Sequence, residues 1–145
     1  MTLFLLLAVL AGAMLPIQTG VNVQLRGQLG QPLAAALISF VVGTLGLTAL
    51  VALLRVSVPV GAAWSRSAWW HWSGGLLGAA YIAVSIVAAP RLGAATLIAA
   101  LVAGQMAASL VVDHYGWVGF AEHHLTPLRL AGAGLIVLGV VLVRR

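Results

Sequence analysis

Three carboxamides stand inside an apolar stretch near the start of the chain: Gln18, Asn22 and Gln24. A carboxamide offers both donors and an acceptor without changing protonation. In apolar surroundings it needs a partner, either a neighbouring helix or a polar solute in a wet cavity. Gln18 and Asn22 are four residues apart, so a helix puts them on one stripe with Met14 and Leu25. Gly12, Pro16, Gly20 and Gln24 form a second stripe, nearly bare of side chains above Gln24. Pro16 has no N–H and leaves the Gly12 carbonyl without its helical donor. The pattern is read as a hydrogen-bonding cavity lined by this segment. Amides that merely join two helices are the alternative.

A second polar file follows later. Gln105, Ser109 and Asp113 recur every four residues, with Gln105 deep in its apolar segment and Asp113 at the segment's end. Gln105 is expected to face Gln18 or Asn22 across a shared path. Tyr81 and Ser85 share a face of another segment, and Ser39 lies within the second segment. Ser39 and Thr44 read first as hydroxyls bonding their own backbone. Gln18, Asn22, Gln24, Ser39, Tyr81, Gln105 and Ser109 are thus the candidates for a solute pathway. Asp113 is the single acid near a span and the candidate for ion coupling, although a solvated helix end explains it as well.

Other chemistry finds less support. The stretch from Asp113 to Pro127 holds both carboxylates and three histidines, but no His-Glu-x-x-His or paired-cysteine spacing. It is read as a polar loop, and neither a metal nor a cofactor is expected. No nucleophile–base pair suggests an enzyme. The seven arginines are scattered, apart from Arg144-Arg145, so a nucleic-acid footprint is rejected. Single arginines at span ends read as anchors in the membrane interface.

The elements that hold these groups must be membrane helices. Hydrophobic residues make up 63% of the chain and charged ones 6%, against about 25% charged in soluble domains. There is no cysteine. The expectation is a single all-α transmembrane domain over residues 1–145, with five spans at about 2–25, 33–54, 72–89, 93–112 and 128–143. The first apolar run is read as an uncleaved span. Pro32 suits the first turn of the second helix. Only Pro16 is expected inside a span, with Pro90 in a turn. Four of the five tryptophans crowd residues 64–72, an aromatic belt with a short interfacial helix over 62–70. Small residues at four-residue spacing mark close helix contacts: Ala35, Ser39 and Gly43, then Gly74 and Gly78, then Ala100, Gly104 and Ala108.

Charge gives the chain no orientation. With the N-terminus inside, inside loops carry Arg55, Arg66 and Arg129, while outside segments carry Arg26, Arg91, Arg144 and Arg145. Three against four is no bias. Five spans put the ends on opposite sides, and no internal repeat is evident. An inverted partner would have to be a second copy.

Several motifs carry a resemblance along almost the whole chain. They are Pro16-x-Gln18-x-Gly20-x-Asn22-x-Gln24-Leu25-Arg26, Ser39-Phe40-x-x-Gly43-Thr44 and Trp72-x-Gly74-Gly75-x-x-Gly78. Gly104-Gln105-x-x-x-Ser109-x-x-x-Asp113-x-x-Gly116 and Arg129-x-x-Gly132 follow. As a set they resemble the YdcZ-like family of the drug/metabolite transporter superfamily. The resemblance implies a five-helix half-transporter, working in the inner membrane as an inverted dimer or an oppositely oriented pair. The related small multidrug exporters couple protons through a glutamate in their first helix. Here that helix has no carboxylate, and Gln18 and Asn22 do not titrate. The expected function is transport of a small polar solute, with membrane lipid, a second copy and the solute as partners. A non-transporting structural or lipid-binding membrane protein is the alternative.

Overall fold

The computed structural model describes residues 1–144, and among these the regular structure is entirely helical. Helix α1 runs Thr2–Leu29, α2 Pro32–Leu53 and α3 Val60–Arg66. A 3-10 turn at Trp69–Ser73 leads into α4 at Gly74–Leu92. Helix α5 runs Ala94–Tyr115, and after a second 3-10 turn at Trp117–Gly119 comes α6 at Pro127–Val143.

Four of these segments are long and apolar enough to cross a bilayer: α1, α2, the 24 residues Trp69–Leu92, and α5. A hydrocarbon core about 30 Å thick takes some 20 helical residues. At 1.5 Å per residue the 28 residues of α1 reach about 42 Å. The apolar α6 has 17 residues and is the short one of the set. Leucine, valine and isoleucine side chains lie exposed all round α1 and α2, which suits lipid rather than water. The chain is therefore an all-α, polytopic membrane protein.

Residues 17–87 form one compact unit, and residues 1–16 with the segment from Ala88 onward form another. In the first, Ala35 and Ala36 of α2 and Ile86 of α4 are buried, with Leu25 of α1, Ile82 and Ala83 around them. Two alanines at the start of α2 let the helices close without large side chains between them. In the second unit α5 packs along α6, and Leu97 and Leu110 of α5 are buried.

Pro32 stands at the start of α2 as its sequence suggests. Other boundaries differ. Helix α1 does not stop at residue 25: it carries Arg26-Gly27-Gln28-Leu29 and turns only at Gly30, with φ +74°. A glycine costs a helix about 1 kcal/mol but does not end it, whereas positive φ does. Pro90 is a second proline inside a helix, not part of a turn. The chain turns at Gly93, with φ +76°. The interfacial helix occupies Val60–Arg66 rather than 62–70, because Ser67 is extended at φ −96°, ψ 139°. Trp64 and Trp72 meet across this break with ring centroids 5.1 Å apart.

Candidate functional site

An open cleft of about 200 Å³ lies in the unit formed by residues 17–87. Gln18 contributes from α1, and Ser39, Phe40, Gly43, Thr44 and Leu47 from α2, with Ile82 from α4. On α2 the rows Ser39, Gly43, Leu47 and Phe40, Thr44 repeat every four residues, so one helix face supplies most of the lining. Gly43 carries no side chain into the space, and nothing lies within 4 Å of where its Cβ would be. Phe40, Leu47 and Ile82 make the apolar wall.

The polar groups of the cleft are unused. Among the described residues no hydrogen bond is made by the Gln18 amide or by the hydroxyls of Ser39 and Thr44. The local backbone bond expected of Thr44 is made by Thr48 instead, whose hydroxyl donates to the Thr44 carbonyl at 2.8 Å. Three uncommitted groups facing one apolar-walled space can donate to and accept from a neutral polar solute. One turn along α1 lies Asn22, only 4% exposed and without a hydrogen bond from the described residues. Every fully enclosed polar side-chain atom among those residues has a partner. The Asn22 amide therefore keeps a sliver of access, buried but not sealed.

The structure thus joins Gln18, Ser39 and Gly43 of the sequence candidates and adds Phe40, Thr44, Leu47 and Ile82. The signal for Phe40, Thr44 and Leu47 was the four-residue spacing on α2; Ile82 on α4 carried none. Tyr81 is half-buried on α4 outside this cleft, and its carbonyl accepts the buried Ser85 hydroxyl at 2.8 Å. Gln24 is exposed on α1, and Gln105 and Ser109 are exposed on α5. Of the small residues expected at close contacts, Gly78 is approached: a Cβ there would meet the Phe40 ring at 3.4 Å. Around Gly12, Gly20, Gly43, Gly74 and Gly104 that space is open.

The second polar connection is folded around Arg129. Its guanidinium pairs with the Asp113 carboxylate and donates to the His123 carbonyl at 2.8 Å. Its backbone N–H donates to Thr126 Oγ1 at 3.3 Å, which caps α6. Gly116 ends α5 in the left-handed conformation, and the His123 N–H reaches the Asp113 carbonyl at 2.7 Å. Asp113, His123, His124, Thr126 and Arg129 line a wide, shallow groove. Asp113 is not a solvated helix end; it is half of a partly buried ion pair. The described residues form no group of three or more His, Asp or Glu able to hold a metal ion.

Comparison with known proteins places the molecule. The family described as "Putative inner membrane exporter, YdcZ" matches residues 3–142. The "Inner membrane protein YdcZ" of Escherichia coli (strain K12) is 32% identical over 150 residues, covering 100% of this chain and 95% of that protein. No solved structure matches. Its general work is membrane transport of the drug/metabolite type, not catalysis. With a match over nearly its whole length and four long apolar helices, the chain belongs to the YdcZ family of the drug/metabolite transporter superfamily.

Proposed function

We propose that the chain is a half-transporter for a small polar solute, working by alternating access as an inverted pair in the inner membrane. The observation that carries this is the cleft on α1 and α2, where Gln18, Ser39 and Thr44 present unbonded polar groups beside Phe40 and Ile82. Asn22 extends that lining along α1. Gln24 and Tyr81 border the path. Gln105 and Ser109 are the candidate polar groups that α5 holds within its own unit. Neutral groups suit a site that must release its solute on either side, since each hydrogen bond gains only about 1 kcal/mol net.

On this reading α6 is the fifth span of one five-helix domain. Its 17 residues reach about 25 Å, the lower limit for crossing. The open space around Gly12, Gly20, Gly74 and Gly104 is where helices of a second copy approach. Three arginines against four give no fixed orientation, so both orientations coexist and pair. The inner-membrane placement follows the family, described as an inner membrane exporter, and the Escherichia coli relative, an inner membrane protein.

The test is flux of a solute panel into liposomes, with dimer content measured in parallel. The Gln18→Leu, Asn22→Leu double variant should assemble normally, because neither amide is hydrogen-bonded among the described residues and leucine leaves no polar group to satisfy, and should lose flux. Normal flux from the folded double variant would remove this stretch from the path. Loss of the dimer, with flux intact in whatever dimer survives, would identify the amides as helix-joining groups.

A further inference from the structure

The polar file on α1 does not end at Asn22. Gln18, Asn22 and Arg26 are spaced by four and share one face. The helical rise puts Gln18 and Arg26 about 12 Å apart along the axis. Gln18 opens on the cleft, Asn22 is buried without a hydrogen bond from the described residues, and Arg26 is half-buried.

Among the described residues Arg26 is held by one hydrogen bond. Its Nη1 donates to the Ile86 carbonyl of α4 at 3.2 Å. That carbonyl is vacant for a covalent reason: four residues on stands Pro90, which has no N–H to give it. A guanidinium carries five N–H donors in a planar fork, so most of the fork is uncommitted. No carboxylate pairs with Arg26 among the described residues, where the ion pairs are those of Arg129 and His124. Residues 17–87 contain no aspartate or glutamate at all, only Arg26, Arg55 and Arg66 as fixed charges. A half-buried cation without a counter-ion favours an anion beside it.

We propose that Arg26 is an oxyanion-binding residue at the head of the solute path. The solute carries a carboxylate or phosphate group, which the free edge of the guanidinium holds, while the Asn22 and Gln18 amides receive its uncharged polar part. This rests on the reading that α1 lines the path. The bond to Ile86 fixes the fork so that little orientation is lost on binding. Charge-assisted bonds from a guanidinium to an oxyanion are about twice as strong as neutral ones, and the bidentate geometry suits these groups. A cationic solute meets repulsion at the same point. Phospholipid headgroups present the same oxyanion, so the experiment must separate the two sources.

The purified protein is melted in an uncharged maltoside detergent against inorganic phosphate, with chloride at matched ionic strength as reference. Phosphate should raise the melting temperature of the native protein. Arg26→Gln should weaken the apparent affinity about tenfold or more, and Arg26→Lys should keep part of it. The Arg26→Gln, Pro90→Ala variant separates binding from structure. Alanine at 90 returns an N–H to the Ile86 carbonyl, so basal stability should recover while the phosphate response stays lost. A native-like phosphate response in that double variant would overturn the proposal, as would a native protein indifferent to phosphate. Stabilisation only in vesicles containing phosphatidylglycerol, through Arg26 and with no effect of free phosphate, would make Arg26 a headgroup anchor and also overturn the solute role. Liposome flux separates this inference from the reading beneath it. If Gln18→Leu, Asn22→Leu abolishes flux while Arg26→Gln carries every anionic solute at the native rate, the path stands and the oxyanion role falls.

Discussion

Asp113 shares its carboxylate with the Arg129 guanidinium, which also donates to the His123 carbonyl. One side chain thus ties the end of α5 to the start of α6. Removing Arg129 costs two charge-assisted contacts and strands a partly buried carboxylate. Asp113→Asn removes the charge but keeps an acceptor. Arg129→Ala should therefore destabilise more, by about 2–3 kcal/mol against about 1 kcal/mol. Thermal unfolding in detergent measures the order. Flux should survive Asp113→Asn unchanged at every pH, because the acid serves the fold; loss of flux together with its pH dependence would return Asp113 to ion coupling. Residue types in the sequence announced the amides and the lone acid near a span. They could not announce the Asp113–Arg129 pair or the Arg26–Ile86 bond, which join residues 16 and 60 positions apart. The unused hydroxyl of Thr44 was hidden for a related reason. A threonine in a helix ordinarily bonds its own backbone, and which of Thr44 and Thr48 does so is decided by what lies beside each.

The helices themselves were legible, since apolar runs of about 20 residues bounded by glycine and proline have few other interpretations. Their ends were less so. Gly27 and Pro90 look like stops, yet the helices continue because Gly30 and Gly93 carry the positive φ that turns the chain. The vacancy that Pro90 creates at Ile86 is filled from another helix, and local sequence does not show that. The Phe40–Gly78 contact allows a prediction at this scale. Phe40 walls both the polar cleft and an apolar groove lined by Leu37 and Ala79, and its ring lies 3.4 Å from where a Cβ at 78 would be. A methyl at 78 needs the ring to yield by a few tenths of an ångström at most. Gly78→Ala should therefore fold and transport almost normally. Gly78→Leu should displace Phe40, cost about 1–3 kcal/mol and alter solute preference. Thermal unfolding and flux of the two variants side by side check this. Equal behaviour would show that the ring does not shape the cleft.

Orientation in the membrane depends on how the cationic side chains divide between its two sides. Arginine is the chain's only fixed cation, and its seven copies divide three to four between the two sides of a five-span arrangement. The positive-inside bias that fixes most membrane proteins is therefore near zero. On the proposed reading, a chain in this balance enters the membrane both ways and pairs with an inverted copy. The absence of cysteine makes the test clean, because a single cysteine added after Arg145 is the only thiol. In intact cells an impermeant maleimide should label about half of the copies. Labelling of all or none would end the dual orientation. Three lysines added between Val56 and Ser67, a connection that already carries Arg55 and Arg66, should hold that connection in the cytoplasm. The same lysines added between Trp117 and Leu125, beside Arg129, should act in the same direction, because both connections lie on one side. Lysines at the exposed Gln28 and Gln31 should act in the opposite direction. Either biased form alone should insert, fold and fail to transport. Expressed together, the two should recover flux, since each supplies the inverted partner that the other lacks. Full flux from one biased form alone would show that the working unit needs no inversion, and the half-transporter reading would have to be replaced by a parallel or single-chain one.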